Sequence, residues 1–257
     1  THSVLSPDGW ADSAQAIMTT DSVPKVATYE SAQGWRIGAI AKGAGMLAPG
    51  LATMLVVITT DAKITSELAQ ASISQASELS FNRIDSDGCM STNDTVLLLA
   101  SGASGHTPDA EDFQSALTQV CLDLARQLIA DAEGATKDIK IQVFGAASDS
   151  DALDVARAVS RSNLLKCAIH GEDPNWGRVL SALGTTQAVF EPDAIEVSMN
   201  SVVVCQRGAA LATEPVVNLS GREVSIDINL NAGTESATLW TNDLTAMYVH
   251  ENSAYST

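Results

Sequence analysis

Residues 41–61 read AKGAGMLAPGLATMLVVITTD, and this stretch governs the interpretation of the whole chain. Gly43, Gly45, Pro49 and Gly50 crowd together just before a β-branched, strongly apolar run over residues 53–60, which reads as a strand. A small Ala52 stands immediately before Thr53. Glycines allow conformations and close approaches that other residues forbid. The pattern therefore predicts a sharply bent peptide that delivers the Thr53 hydroxyl to the head of a strand.

Outward from this turn, residues 35–41 alternate as a strand does. Upstream, Ser6-Pro7 marks a helix start (Ser as N-cap, Pro in the first turn), and that helix should run to about Met18. Downstream, residues 65–79 form an amphipathic helix and residues 81–85 a short strand. STNDT from Ser91 caps an apolar run over 96–100. The longest helix is expected from Thr107-Pro108 to about Ala132, with Leu117, Val120, Cys121, Leu124, Leu128 and Ile129 on one face. Residues 137–144 read as a strand. Then follow helices at 151–161 and 176–183 and strands at 195–199, 202–205, 224–230 and 238–241. Asn200-Ser201 and Asn231-Ala232-Gly233 sit where hairpin turns belong. There are no internal repeats or low-complexity linkers. The expected class is α+β, a layered helix/sheet sandwich over residues 1–137 and a smaller α+β domain over 138–257.

Composition narrows the function. With 257 residues, 45% of them hydrophobic, the chain has ample material for a core. A net charge of −17, with only 14 Lys and Arg, argues against nucleic acid and against anionic membrane surfaces, both of which need clustered cations. Cys89, Cys121, Cys167 and Cys205 lie far apart with no CxxC pair, so neither disulfides nor zinc are expected and a reducing cytoplasm suits them. The thiols read as small hydrophobes. His2, His106, His170 and His250 show no metal-ligand spacing. No leader pattern opens the sequence, and its apolar runs fall short of a membrane span. The opening THSVLSPDGW reads as the interior of a longer protein, so an upstream segment is expected to have been removed.

A Thr hydroxyl within a chain is a poor nucleophile and needs a neighbouring base. Cutting the chain before the Thr provides one, because the freed α-amine has a pKa of about 7.7–8.0 and is partly unprotonated near neutrality. The pairing of Thr with its own N-terminus is an established nucleophile–base arrangement. The Thr53 hydroxyl could itself make the cut by attacking the Ala52 carbonyl, giving an ester that water hydrolyses.

Six blocks carry a family resemblance: AIMTTD (16–21), AKGAGMLAPGLATML (41–55), STNDT (91–95), DAEGATK (131–137), DPNWGR (173–178) and ENSAYST (251–257). Spread in order over essentially the whole chain, they resemble the ornithine acetyltransferases, or glutamate N-acetyltransferases, the bifunctional acetyltransferases of arginine biosynthesis. The resemblance implies a fold like that of N-terminal-nucleophile enzymes and a precursor that cleaves itself between Ala52 and Thr53. It also implies acetyl transfer from N2-acetyl-L-ornithine to L-glutamate through acetyl-Thr53, with acetyl-CoA as a further donor in some members. It implies no cofactor or metal, and an assembly of two α and two β chains cut from one precursor.

By position, the resemblance makes Lys42, Glu133, Asn252 and Thr257 substrate contacts, together with Thr19 or Thr20. Lys42 would meet a substrate carboxylate, as a compact ammonium can, and Glu133 the amino-acid ammonium. For Asn252 and Thr257 to reach the site, the tail must be tied down, with Tyr255 as the packing group. The family's oxyanion hole, a Thr-Gly pair, has no counterpart here and is expected upstream of Thr1. Asp94 and Arg178 read as ion-pair or capping residues and Trp176 as core. Three other readings share parts of this pattern: a self-processed amidase or aminopeptidase in which water takes the acyl group, a secondary-metabolism paralogue, and a binding module with a structural Thr53.

Overall fold

A computed structural model describes residues 9–47, 54–89 and 93–254. The chain divides into two compact units, Thr1–Ala132 and Glu133–Thr257. Each is α+β, with helices laid on a sheet.

In the first unit, helix α1 (Gly9–Ala16) precedes strands β1 (Lys25–Glu30), β2 (Arg36–Lys42) and β3 (Leu55–Thr60). Helix α2 (Ser66–Leu79), strand β4 (Thr95–Ala100) and helix α3 (Ala110–Ala130) follow. The sheet order is β1-β2-β3-β4, antiparallel except for the parallel β3–β4 pair. Strand alternation puts Ile37, Ala39 and Ala41 on one face of β2, all buried. Trp35, on that same face, packs its ring against Phe113 of α3. The opposite face of β2 carries Gly38, Ile40 and Lys42. There α1 packs, close enough that a Cβ on Gly38 would stand 3.3 Å from the Trp10 ring. Helix α3 reaches one margin of the sheet as well: Gln127 accepts from Val26 N–H and donates to Val26 C=O, each at 3.0 Å.

The second unit runs β5 (Asp138–Ala146), α4 (Asp149–Ser160), α5 (Asn163–His170), α6 (Trp176–Leu183), β6 (Glu196–Met199), β7 (Val202–Gln206) and β8 (Ala209–Ala210). It closes with β9 (Glu223–Asn229), β10 (Glu235–Asn242) and α7 (Ala246–Ala254). Its six-stranded sheet has the order β10-β5-β9-β6-β7-β8. Helix α4 covers β5 and β10, burying Val155 and Val159 against Ile139, Ile141, Val143 and Leu239. Side-chain caps start α4, α5 and α6 at Ser148, Ser162 and Asn175. Among the described residues, no helix is long and apolar enough to cross a membrane.

Several expectations need correction. Residues 81–85 are not a strand: Phe81–Arg83 is a 3₁₀ turn, because Asn82 and Arg83 bond back to Glu78 and prolong the coil of α2. The long helix starts at Ala110, since Asp109 is its cap, and α1 stops at Ala16. The Ser6-Pro7 start lies outside the described residues. Asn200-Ser201 does turn a hairpin, both residues having positive φ. Residues 231–233 do not: β5 lies between β9 and β10, and the connection crosses its end, with Ala232 and Gly233 N–H both donating to Gly145 C=O. Strands β1 and β8 and helices α5 and α7 were not anticipated. Cys121 and Cys205 are buried, and burial pushes the Cys121 thiol up to about 12. Cys89 and Cys167 are exposed instead.

Candidate active site

Ala52, Thr53, Tyr255 and Thr257 lie outside the described residues, and the frame around the head of β3 lies within them. Lys42 ends β2, buried at 5% exposure, and pairs in register with Leu55. Its Nζ stands 3.4 Å from the Thr19 hydroxyl oxygen. That contact arises because α1 occupies the Lys42 face of the sheet and the chain leaving α1 passes through Thr19. Thr19 and Thr20 are both exposed residues, and the contact with Lys42 is made by Thr19.

From the other side of β3, Asp94 Oδ1 accepts the Met54 N–H at 2.8 Å, and Thr95 N–H donates to Met54 C=O at 3.0 Å. The parallel β3–β4 register begins there, at Leu55 and Thr95. The carboxyl of Asp94 is raised above its ordinary range by burial, which outweighs the Met54 N–H and the nearby Lys42 charge. Asp94 is thus a backbone cap, as its sequence suggested, and the peptide it holds is the one Met54 shares with Thr53.

The glycine-rich approach is braced by a turn that sequence reasoning overlooked. Met46 N–H donates to Asp87 Oδ2 at 2.9 Å, and Ser86 N–H donates to Leu47 C=O at 2.5 Å. Gly43, at φ +149°, sets the direction in which the chain leaves β2.

Also overlooked was a buried ion cluster. Lys25 is fully buried and donates to Asp21 Oδ1 and Asp131 Oδ2, both at 2.6 Å. Asp21 also accepts Gly43 N–H at 2.6 Å and Thr19 N–H at 3.1 Å. Burial alone would raise the Asp21 carboxyl. The Gly43 N–H, Lys25 and the Thr19 N–H together hold it below the usual range. Asp131, just past α3, accepts from Ser22 N–H and from the Ser22 hydroxyl. A signal was available, because Asp21 and Asp131 close and open two of the blocks named above, AIMTTD and DAEGATK.

In the second unit, Glu133 Oε2 accepts from Asn252 Nδ2 at 3.1 Å, which brings two anticipated contact residues together. Asn252 is displayed by α7, whose described residues include none that is buried. The helix is held instead by polar contacts at its start. Thr245 caps it, accepting Tyr248 N–H at 2.9 Å while donating to Gly134 C=O at 2.7 Å. Gly134 has φ +66°, and a Cβ there would come within 2.3 Å of Tyr248 N, so only glycine fits. Arg178 donates to Leu164 C=O at 2.5 Å and Trp176 packs on the core.

Comparison with known proteins accords with these blocks. The model of the ArgJ family matches residues 2–257. Arginine biosynthesis bifunctional protein ArgJ 1 of Streptomyces clavuligerus is 60% identical over 252 residues, covering 98% of this chain and 66% of the relative. Arginine biosynthesis bifunctional protein ArgJ of Thermobifida fusca is 60% identical over 250 residues, covering 97% of this chain and 65% of the relative. The chain therefore spans just under two thirds of the length of these curated relatives. A crystal structure of arginine biosynthesis bifunctional protein argJ from Bacillus halodurans superposes with a TM-score of 0.72 at 34% identity, covering 78% of this chain and 98% of that one. By sequence over nearly its full length and by fold, the chain belongs to the ArgJ family.

Proposed function

We propose that the protein transfers acetyl from N2-acetyl-L-ornithine to L-glutamate through an ester on Thr53, formed after the bond between Ala52 and Thr53 has been cut. The observation that carries this reading is the convergence of β2 and β4 on the head of β3. Lys42 comes from one side and Asp94 holds the Met54 N–H from the other. The names of the 60%-identical relatives support the arginine-biosynthetic assignment.

In this scheme the Thr53 hydroxyl attacks the Ala52 carbonyl, the peptide becomes an ester, and water releases the Ala52 carboxylate and a free Thr53 amine. That amine takes the hydroxyl proton as Thr53 Oγ attacks the acetyl amide. The C–N bond of acetylornithine breaks and ornithine leaves with the proton. The amine of glutamate then attacks the acetyl ester, giving N-acetylglutamate and restoring Thr53. Lys42 and Thr19 receive a substrate carboxylate, and Glu133 with Asn252 receives the ammonium. Thr257 also contacts substrate. Acetyl-CoA is a second donor, and no cofactor or metal takes part. The working protein is a cytoplasmic assembly of two α and two β chains.

The test uses the full-length protein. Mass spectrometry should find a fragment beginning at Thr53, and Thr53→Ala should remain uncut and lose at least about 10⁴-fold in transfer rate. An uncut but fully active wild type would refute the scheme. Equal acetyl release with and without glutamate would turn it into an amidase.

A further inference from the structure

We propose that Asp21 is the positioning residue of the Lys42–Thr19 pair, an inference that rests on the substrate-binding reading of Lys42. One carboxylate holds the main chain on both sides of that contact. Its Oδ1 accepts the N–H of Gly43, the residue after Lys42, and its Oδ2 accepts the N–H of Thr19 itself. With both peptides tied to the same group, Lys42 Nζ and Thr19 Oγ1 come to 3.4 Å although they are 23 residues apart. The carboxylate is fixed in turn by Lys25, which donates to its Oδ1 and to Asp131 Oδ2, and Lys25 also donates to Val23 C=O at 3.3 Å. Asp131 grips the neighbouring Ser22. The segment between α1 and β1 is therefore anchored at both ends, and the end of β2 is anchored to it.

This arrangement suits a site that must accept an amino-acid carboxylate repeatedly, first on the donor and then on the acceptor. A lysine side chain free to rotate would lose part of its binding energy to ordering. Asp21 touches neither substrate nor reacting atom in this account. It acts through the backbone of Lys42 and Thr19.

Asp21→Asn in the full-length protein keeps the size of the side chain and removes its charge. Amide hydrogen exchange at Gly43 should accelerate by about tenfold or more, as expected for the loss of a charge-assisted hydrogen bond. Exchange at Ile37 and Ala39 in β2 should be unchanged. KM for acetylornithine and for glutamate should each rise by about tenfold, with kcat within about threefold of wild type. Because the effect passes through Lys42, Asp21→Asn should add less than about twofold to KM in a Lys42→Met background. Asp21→Glu keeps the ion pair while displacing the acceptor by one methylene. It should give an intermediate KM, and it carries the same measurements should Asp21→Asn not fold. Unchanged Gly43 exchange overturns the proposal, as does an unchanged KM or an effect that multiplies with Lys42→Met. If Lys42→Met alone leaves KM unaltered, the substrate-binding reading of Lys42 falls and takes the proposal with it, by a result independent of Asp21.

Discussion

Asp21 and Asp243 are buried carboxylates, one in each unit, that gather distant pieces of chain, and they do so by different means. Burial would raise both, and in both the donors win and hold the carboxyl below its usual range. Asp21 faces a fully buried cation, Lys25, as well as two backbone N–H groups. Asp243 is served mainly by neutral donors: Thr136 N–H at 2.8 Å, Lys137 N–H at 2.9 Å and the Thr136 hydroxyl. His170 Nδ1 lies 2.8 Å away on a half-exposed ring. The first arrangement places a charge beside the proposed site. The second fastens the residues that enter β5 to the end of β10. A buried ion pair is costly to build and costly to break from one side, whereas a carboxylate seated on peptide N–H groups is simpler to maintain.

The sharpest way to break this contrast is Lys25→Met. It leaves Asp21 and Asp131 without their shared cation, and denaturant unfolding should show a loss of about 3–5 kcal/mol. Asp243→Ala should cost less, about 1–3 kcal/mol by the same measurement, because it strands one buried and one part-buried N–H group and no buried charge. Should Asp243→Ala prove the more damaging, the contrast is reversed.

Acid titration sharpens the comparison from another direction. Both folded carboxyls titrate below the ordinary Asp value of 3.8, so the folded state binds fewer protons than the unfolded one. Their contribution is present above that pH and is lost as pH falls through the depressed folded values. Asp94, raised instead, acts in the opposite sense, its contribution declining as pH rises from 3.8 through its folded value. Thermal melts between pH 5 and 2, in steps of about half a unit, should therefore fall steeply below about pH 4, and Asp21→Asn should flatten part of that fall. The smallest effect belongs to His170→Ala. Its side chain is 44% exposed, and solvent screening should keep the loss under about 1 kcal/mol by denaturant unfolding.

Elements governed by local pattern were legible in the sequence. The helix expected at 176–183 is α6, and the strand expected over 53–60 is β3, which runs from Leu55 to Thr60. Lys42 and Asp94, from two of the family blocks, both lie at the head of β3, a proximity that no local pattern records. What escaped was set by distant partners. Strand β1 begins with Lys25, a residue that reads as loop or surface until Asp131, 106 positions away, is brought to it. Lys166 likewise interrupts the apolar rhythm of α5, yet it is buried beside Thr241 and Asn242. The loop over 231–233 looked like a hairpin because nothing local records that β5 has been inserted between β9 and β10. Helix α7 has almost no apolar stripe, since it is held by Thr245 and Gly134. Burial of charge and strand order are properties of the assembled chain, and short-range periodicity carries neither.

The amide of Gln127 has one more effect. By occupying both outward-facing backbone groups of Val26, it denies a stray strand the first rung of a ladder along β1. Among the described residues β4 is paired on one side only, and Leu97 and Leu99 stand exposed along it. Growth of this sheet, whether by further chain or by unwanted aggregation, is thus given a direction.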